Sequence, residues 1–191
     1  MAGFMQNNQF NNGSNMNVEK RRENFAVGKV HGDNAKLDVS VWTPATGTRV
    51  LFTITQAIGK DPTTGSVSYE QRQPKDMPRF FMNMDITRAF IEVTKGVDPS
   101  TLNFTLDAGK SKLTVVGSAS NVQMKIETPD KGFREITLGA TNVGGKYIHT
   151  GFLNLINFVE FGFLKGMTQK LDPEEFGMAV NGNNNSDDTP F

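Results

Sequence analysis

Lys36-Leu37-Asp38-Val39-Ser40-Val41-Trp42-Thr43 alternates polar and apolar side chains from Lys36 to Val41, and residues 49–58 continue the habit with Val50, Phe52 and Ile54. A period of two is that of a strand with one buried face, so Leu37, Val39 and Val41 turn inward and Trp42 turns outward. The pattern runs on near 66–73 and 79–84, with Phe80, Met82 and Met84 inward, and then changes to helical spacing. Asp85 can cap a helix from Ile86 to Lys95, which Gly96 and Pro99 end. A second block repeats the plan near 101–107, 111–117, 121–127 and 132–139, carrying Phe104, Leu113, Val122, Met124, Ile136 and Leu138 inward. A longer helix from about Gly145 to Lys165 closes it. Turn chemistry separates the strands at Pro44–Gly47, Asp61–Gly65, Asp107–Gly109 and Pro129–Gly132. The fold class read from this is α+β, mainly antiparallel β, built as two consecutive units of four strands and a helix.

Outward from that body the composition changes. Residues 1–24 are rich in Asn and Gln without periodicity and read as a disordered arm. Pro173 stops any helix and the stretch Val180 to Thr189 is mostly Asn, Gly, Ser and Asp with nothing to bury, so residues 25–171 are the expected folded domain and 172–191 a disordered acidic tail. The chain of 191 residues has 20 basic and 20 acidic side chains, but five of the acids lie beyond Leu171, where no Lys or Arg stands. The remainder carries a mild positive excess, as expected of a nucleic-acid binder whose tail competes for its own basic surface. The most apolar stretch, Tyr147 to Leu164, holds His149, Asn154, Asn157 and Glu160 and is not a membrane span; the N-terminus has no signal-peptide pattern, so a cytoplasmic location is expected.

Ile148, Phe152, Leu155, Ile156, Val159, Phe163 and Leu164 fill more than one stripe of the closing helix, and Leu153, Phe158 and Phe161 are in surplus. A helix apolar nearly all round is either sandwiched in a core or shared with a second subunit. In so small a body a shared interface is the favoured reading, which makes a homo-oligomer the expectation.

Catalysis finds little support. The chain has no cysteine, so thiol nucleophiles, disulfides and Cys-ligated metals are excluded, and its two histidines, His31 and His149, are far apart. Gly109-Lys110-Ser111 resembles the end of a phosphate-binding loop, yet Phe104 stands where the first glycine is required and the fragment lies between strands. No enzyme, cofactor or metal is expected. Binding of unpaired polynucleotide needs other parts: outward aromatics to stack on bases and cations to follow phosphates. The alternation turns Trp42, Phe81 and Phe133 outward, with Tyr69 a further candidate, and Arg49, Lys60, Arg72, Arg79, Lys112, Lys125 and Arg134 supply the cations. About five neutralised phosphates would give a salt slope of roughly −3 to −4.

The end of the chain, Ser186-Asp187-Asp188-Thr189-Pro190-Phe191, is similar to the C-terminal tip of bacterial single-stranded DNA-binding proteins, SSB, in which consecutive aspartates, one residue and proline precede a final phenylalanine. In the physical reading, a partner takes the ring of Phe191 in a pocket and its carboxylate with Arg or Lys, while Asp187 and Asp188 steer toward basic rims; Pro190 completes the partner-binding tip. The doubled body, with Val50-Leu51-Phe52-Thr53-Ile54-Thr55-Gln56-Ala57-Ile58-Gly59 and the helix that follows Phe133 to Leu138, resembles the Whirly and positive-cofactor-four group. That family's basic Lys-Gly-Lys-Ala-Ala-Leu signature is absent, so none of its contacts carries over residue by residue. An OB-fold barrel, the body that usually accompanies such a tip, is the alternative and calls for five strands with a helix after the third. The resemblances imply a protein of DNA replication, recombination or repair, from a bacterium or its virus, that binds single-stranded DNA and recruits partners through its tip. A non-enzymatic assembly protein oligomerising through its last helix is the second expectation.

Overall fold

The computed structural model describes residues 24–43, 47–72 and 76–168. The arm at residues 1–23 and the tail from 169 onward, with Asp187, Asp188, Pro190 and Phe191, lie outside the described residues. In chain order the strands are β1 (Asn24–His31), β2 (Ala35–Trp42), β3 (Arg49–Lys60), β4 (Val67–Tyr69) and β5 (Arg79–Met82), followed by helix α1 (Met84–Thr94). After a single 3-10 turn at Pro99–Thr101 come β6 (Asn103–Asp107), β7 (Lys112–Gly117), β8 (Asn121–Thr128), β9 (Gly132–Gly139), β10 (Thr141–Val143), β11 (Lys146–Ile148) and helix α2 (Thr150–Thr168). The class is α+β with antiparallel sheets.

The first sheet runs β1-β2-β3, and the far edge of β3 is shared by β5 on one half and β4 on the other. The second is the meander β6-β7-β8-β9, and β10 with β11 forms a separate hairpin. Leu37, Val39, Val41, Val50, Phe52, Ile54, Phe80 and Met82 from the first sheet enter one core with Leu113, Val115, Met124, Ile126, Ile136 and Leu138 from the second. Phe90 of α1 joins the two halves, meeting Phe52 edge-on at 5.6 Å between centroids and Phe104 at 6.3 Å. Burial of the inner faces in a common core leaves both outer faces pointing away from it, on different sides. Among the described residues no helix is long and apolar enough to cross a membrane.

Several elements differ from the expectation. β1 was not foreseen because a bulge between Ala26 and Gly28 breaks its alternation: Phe25 and Val30 both face the core, although their parities disagree. The expected strand at 66–73 is only Val67–Tyr69. The cap of α1 is Asn83, whose side chain accepts from the Ile86 N–H, while Asp85 sits inside the first turn. The closing helix begins at Thr150, not Gly145, because Gly144 and Gly145 both adopt positive φ (59° and 85°), the conformation of a two-residue hairpin turn.

α2 lies on the inner side of the first sheet and against α1. Phe152, Leu155, Ile156, Val159 and Phe163 are buried within this one chain, which covers most of the apolar girth attributed to a partner; Leu153, Phe161 and Leu164 stay exposed. Close approach depends on glycine. A Cβ at Gly166 would stand 2.2 Å from Thr48 Cγ2 and 3.0 Å from Val41 Cγ1, and Thr48 cannot swing away while its hydroxyl donates to the Gly166 carbonyl at 2.8 Å. Gly166→Ala should therefore lower stability by about 1–3 kcal/mol, outweighing the helix-propensity gain of roughly 1 kcal/mol. Gly59→Ala, with nothing within 4 Å of its Cβ, is the control. Chemical denaturation of both variants checks this, and equal midpoints would contradict it.

Candidate nucleic-acid interface

The register of the first sheet determines what its outer face carries. Trp42 pairs with Arg49, Asp38 with Thr53 and Lys36 with Thr55 across β2 and β3, while Phe81 of β5 pairs with Leu51 and Arg79 with Thr53. Trp42 and Phe81, expected to face outward, do so and are half-buried. Their rings meet edge to face, 6.0 Å between centroids at 61°. The Arg49 guanidinium lies 5.5 Å from the centre of the Trp42 ring and that of Arg79 lies 5.2 Å from the centre of Phe81. Neither arginine forms an ion pair with a carboxylate among the described residues. Four residues drawn from three strands thus form one cluster of two rings and two uncompensated cations.

Tyr69 belongs to the same face at the opposite end. It pairs with Ala57 of β3, its hydroxyl is 2.9 Å from Nδ1 of His31, and the Lys36 ammonium lies 4.9 Å from its ring centre. His31 and Lys36 were absent from the expected site. His31 lies in the strand hidden by the bulge, and Lys36 is an ordinary surface lysine until the register sets it beside the tyrosine. Between the two ends Asp38 is shared by Lys29 at 3.7 Å and Lys36 at 4.0 Å. The face therefore sets Lys29, Lys36, Arg49 and Arg79 against one carboxylate.

The remaining candidates are elsewhere. Phe133 is 52% exposed, but on the outer face of the second sheet, with the Lys125 ammonium 4.8 Å from its ring centre. That face is neutralised: Lys125 pairs with Glu127 at 2.8 Å, Lys112 with Asp107 at 3.5 Å, and Glu135 adds a further carboxylate opposite Lys125. A cleft of about 430 Å³ between its hairpin ends, lined by Lys110, Ser111, Lys112, Glu127, Thr128 and Phe133, is mixed in charge for the same reason. Lys60 ends β3 on an exposed ribbon. The three expected stacking rings are thus divided, two on one sheet and one on the other. Among the described residues no group of three or more His, Asp or Glu is placed to hold a metal ion. His149 is buried at the start of α2, where its carbonyl accepts from the Leu153 N–H.

Arg134 and Arg72 are committed to Glu70. Arg134 donates Nε to Oε1 at 3.0 Å and Nη2 to Oε2 at 3.2 Å, and the Nε of Arg72 is 3.3 Å from Oε2. Arg134 is only 17% exposed and Glu70 12%, so this pair ties the strand end beside Tyr69 to β9 and is poorly placed to meet a phosphate. Burial raises the pKa of Glu70, but the Arg134 hydrogen bond, the Gln56 N–H and the charges of Arg134 and Arg72 outweigh it and hold the carboxylate below its ordinary 4.5. No protein-family model matches this chain, and no curated protein matches it.

A carboxylate depressed in the folded state contributes stability above its unfolded pKa and loses it as pH falls through the folded value. Glu70→Gln should cost about 2 kcal/mol at neutral pH, and the difference from the parent should close as pH falls below about 4.5. Thermal unfolding of both proteins across the acid range measures this. A gap equally wide at low pH would show that Glu70 does not act through its charge.

Proposed function

We propose that this protein binds single-stranded DNA with little sequence preference, as a cytoplasmic component of replication, recombination or repair in a bacterium or a virus-infected bacterial cell. The observation that carries the reading is the Trp42–Phe81 pair, each ring with an arginine that no carboxylate of the described residues neutralises. A base can stack on a ring whatever its identity, while its phosphate meets the guanidinium. Duplex DNA hides its base faces and would find no such use for the two rings. No helix stands between β3 and β4, which speaks against an OB barrel with its helix after the third strand; five strands precede α1 and six more precede α2, so of the Whirly-like plan of four strands and a helix only the meander β6-β7-β8-β9 has the expected strand number. Phe133 with Lys125 is at most an auxiliary contact, since acids surround it.

Titration with oligothymidine should quench the sole tryptophan, Trp42, and Trp42→Ala should weaken binding about tenfold or more. With four phosphates met by Lys29, Lys36, Arg49 and Arg79, log affinity should fall with log salt at a slope of about −3, and Arg49→Gln with Arg79→Gln should reduce that by about 1.4. Unchanged fluorescence with a slope near zero would reject the reading. The segment Asp187 to Phe191 is proposed to recruit partner proteins. Its deletion should leave DNA affinity equal or slightly higher, because an acidic competitor is gone; a filter-binding measurement that showed lost affinity would contradict the division of labour.

One observation favours the second reading, a non-enzymatic assembly protein. Leu153, Phe161 and Leu164 on α2 and Tyr147 and Ile148 on β11 are large apolar residues left exposed. A mobility shift with single-stranded and duplex DNA at low salt separates the two, and no shift with either would favour assembly. The same residues suit a homo-oligomer of the DNA-binding form.

A further inference from the structure

We infer that Tyr69, Lys36 and His31 form a second nucleotide subsite on the outer face of the first sheet, and that one DNA strand must span it and the Trp42–Phe81 cluster to bind fully. This rests on the proposed function and adds to it a path and a minimum length. The subsite repeats the chemistry of the first: a ring on the outer face with a cation 4.9 Å from its centre. His31, which pairs with Lys36 across β1 and β2, lies 2.9 Å from the tyrosine hydroxyl and steadies the ring. The occupant is anionic because, among the described residues, the register of this face sets Lys29, Lys36, Arg49 and Arg79 against Asp38. Beyond Tyr69 comes Glu70, whose carboxylate already holds Arg134 and Arg72, so neither arginine of that cluster is free to extend the path.

The length follows from the strand itself. Lys36 and Trp42 are six residues apart on β2, which at about 3.3 Å per residue is roughly 20 Å. At the stacked rise of about 3.4 Å per nucleotide that is roughly six nucleotides, and fewer when the strand is drawn out. Two or three nucleotides can therefore fill the Trp42 end alone, whereas seven or eight reach both ends, and the second contact becomes intramolecular.

The experiment is a fluorescence titration of the full chain with oligothymidines of about two to ten nucleotides, at one low salt concentration. The parent should show a step of about tenfold in affinity beyond the gradual gain per nucleotide, at about five to seven nucleotides. Tyr69→Ala should abolish the step, Tyr69→Phe should retain it, and Lys36→Gln should reduce it. Circular dichroism confirms that each variant is folded. If short oligomers quench Trp42 but no step occurs in the parent, the second subsite is wrong and the proposed function stands. A step that persists in folded Tyr69→Ala also overturns the subsite. Absence of quenching at every length overturns the proposed function itself.

Discussion

A slip of one residue between β2 and β3 would turn Trp42, Lys36 and Arg49 toward the core and set Val41, Val39 and Phe52 in water. Everything proposed for the outer face depends on that register. It is held by the buried pairs Leu37–Ile54, Val39–Phe52 and Val41–Val50, and by Phe80 and Met82 continuing the same layer on β5. Each fully buried side chain of this size is worth about 1.5–3 kcal/mol relative to exposure. A slip exposes several at once, so the alternative register is far above the native one. The rings on the outer face thus owe their direction to residues that never touch solvent.

The helices take the inner side. α2, brought close by Gly166 and Gly28, and α1 with Phe90 complete the core from below, and neither helix lies over the half-buried rings of Trp42, Phe81 and Tyr69 on the other face. The second sheet shares that core and also presents an outer face, yet the two faces differ in charge. Exposed ion pairs such as Lys112–Asp107 contribute little to stability. What they do is cancel the field that would attract phosphates, and they leave a carboxylate beside each cation to repel them. Among the described residues Arg49 and Arg79 have no such neighbours, and this is why the proposed anionic strand is assigned to the first sheet.

Much of this was legible in the sequence, and the failures share a cause. Strict alternation identified β2, β3, β5, β8 and β9 and turned Trp42 and Phe81 outward, because one face of each strand is buried and the period is two. β1 escaped because its bulge at Ala26 to Gly28 shifts the parity midway, and with it went His31. The second strand of the hairpin, Lys146–Ile148, falls inside the expected helix because its aromatic and β-branched residues suit either period, and only the paired positive φ of Gly144 and Gly145 decides. Parity within a strand says which way Phe133 faces but not which sheet it belongs to, so three outward rings were grouped although two sheets carry them. Arg134 was visible at an apolar position; its partner Glu70, 64 residues away, was not.

Magnitudes indicate why the Trp42 cluster would not suffice alone. Stacking contributes about 1–3 kcal/mol per base, so two rings give roughly 2–6 kcal/mol, and micromolar binding requires about 8 kcal/mol. Cation–phosphate contacts supply the difference at low salt but fade as counterions are added. Stacking does not depend on counterion release in that way. A protein that must hold DNA at physiological ionic strength therefore gains more from an additional ring on the same strand than from an additional lysine. Tyr69, oriented by His31 and standing on the same face as Trp42, is the ring so placed, whereas Phe133 lies beyond the common core.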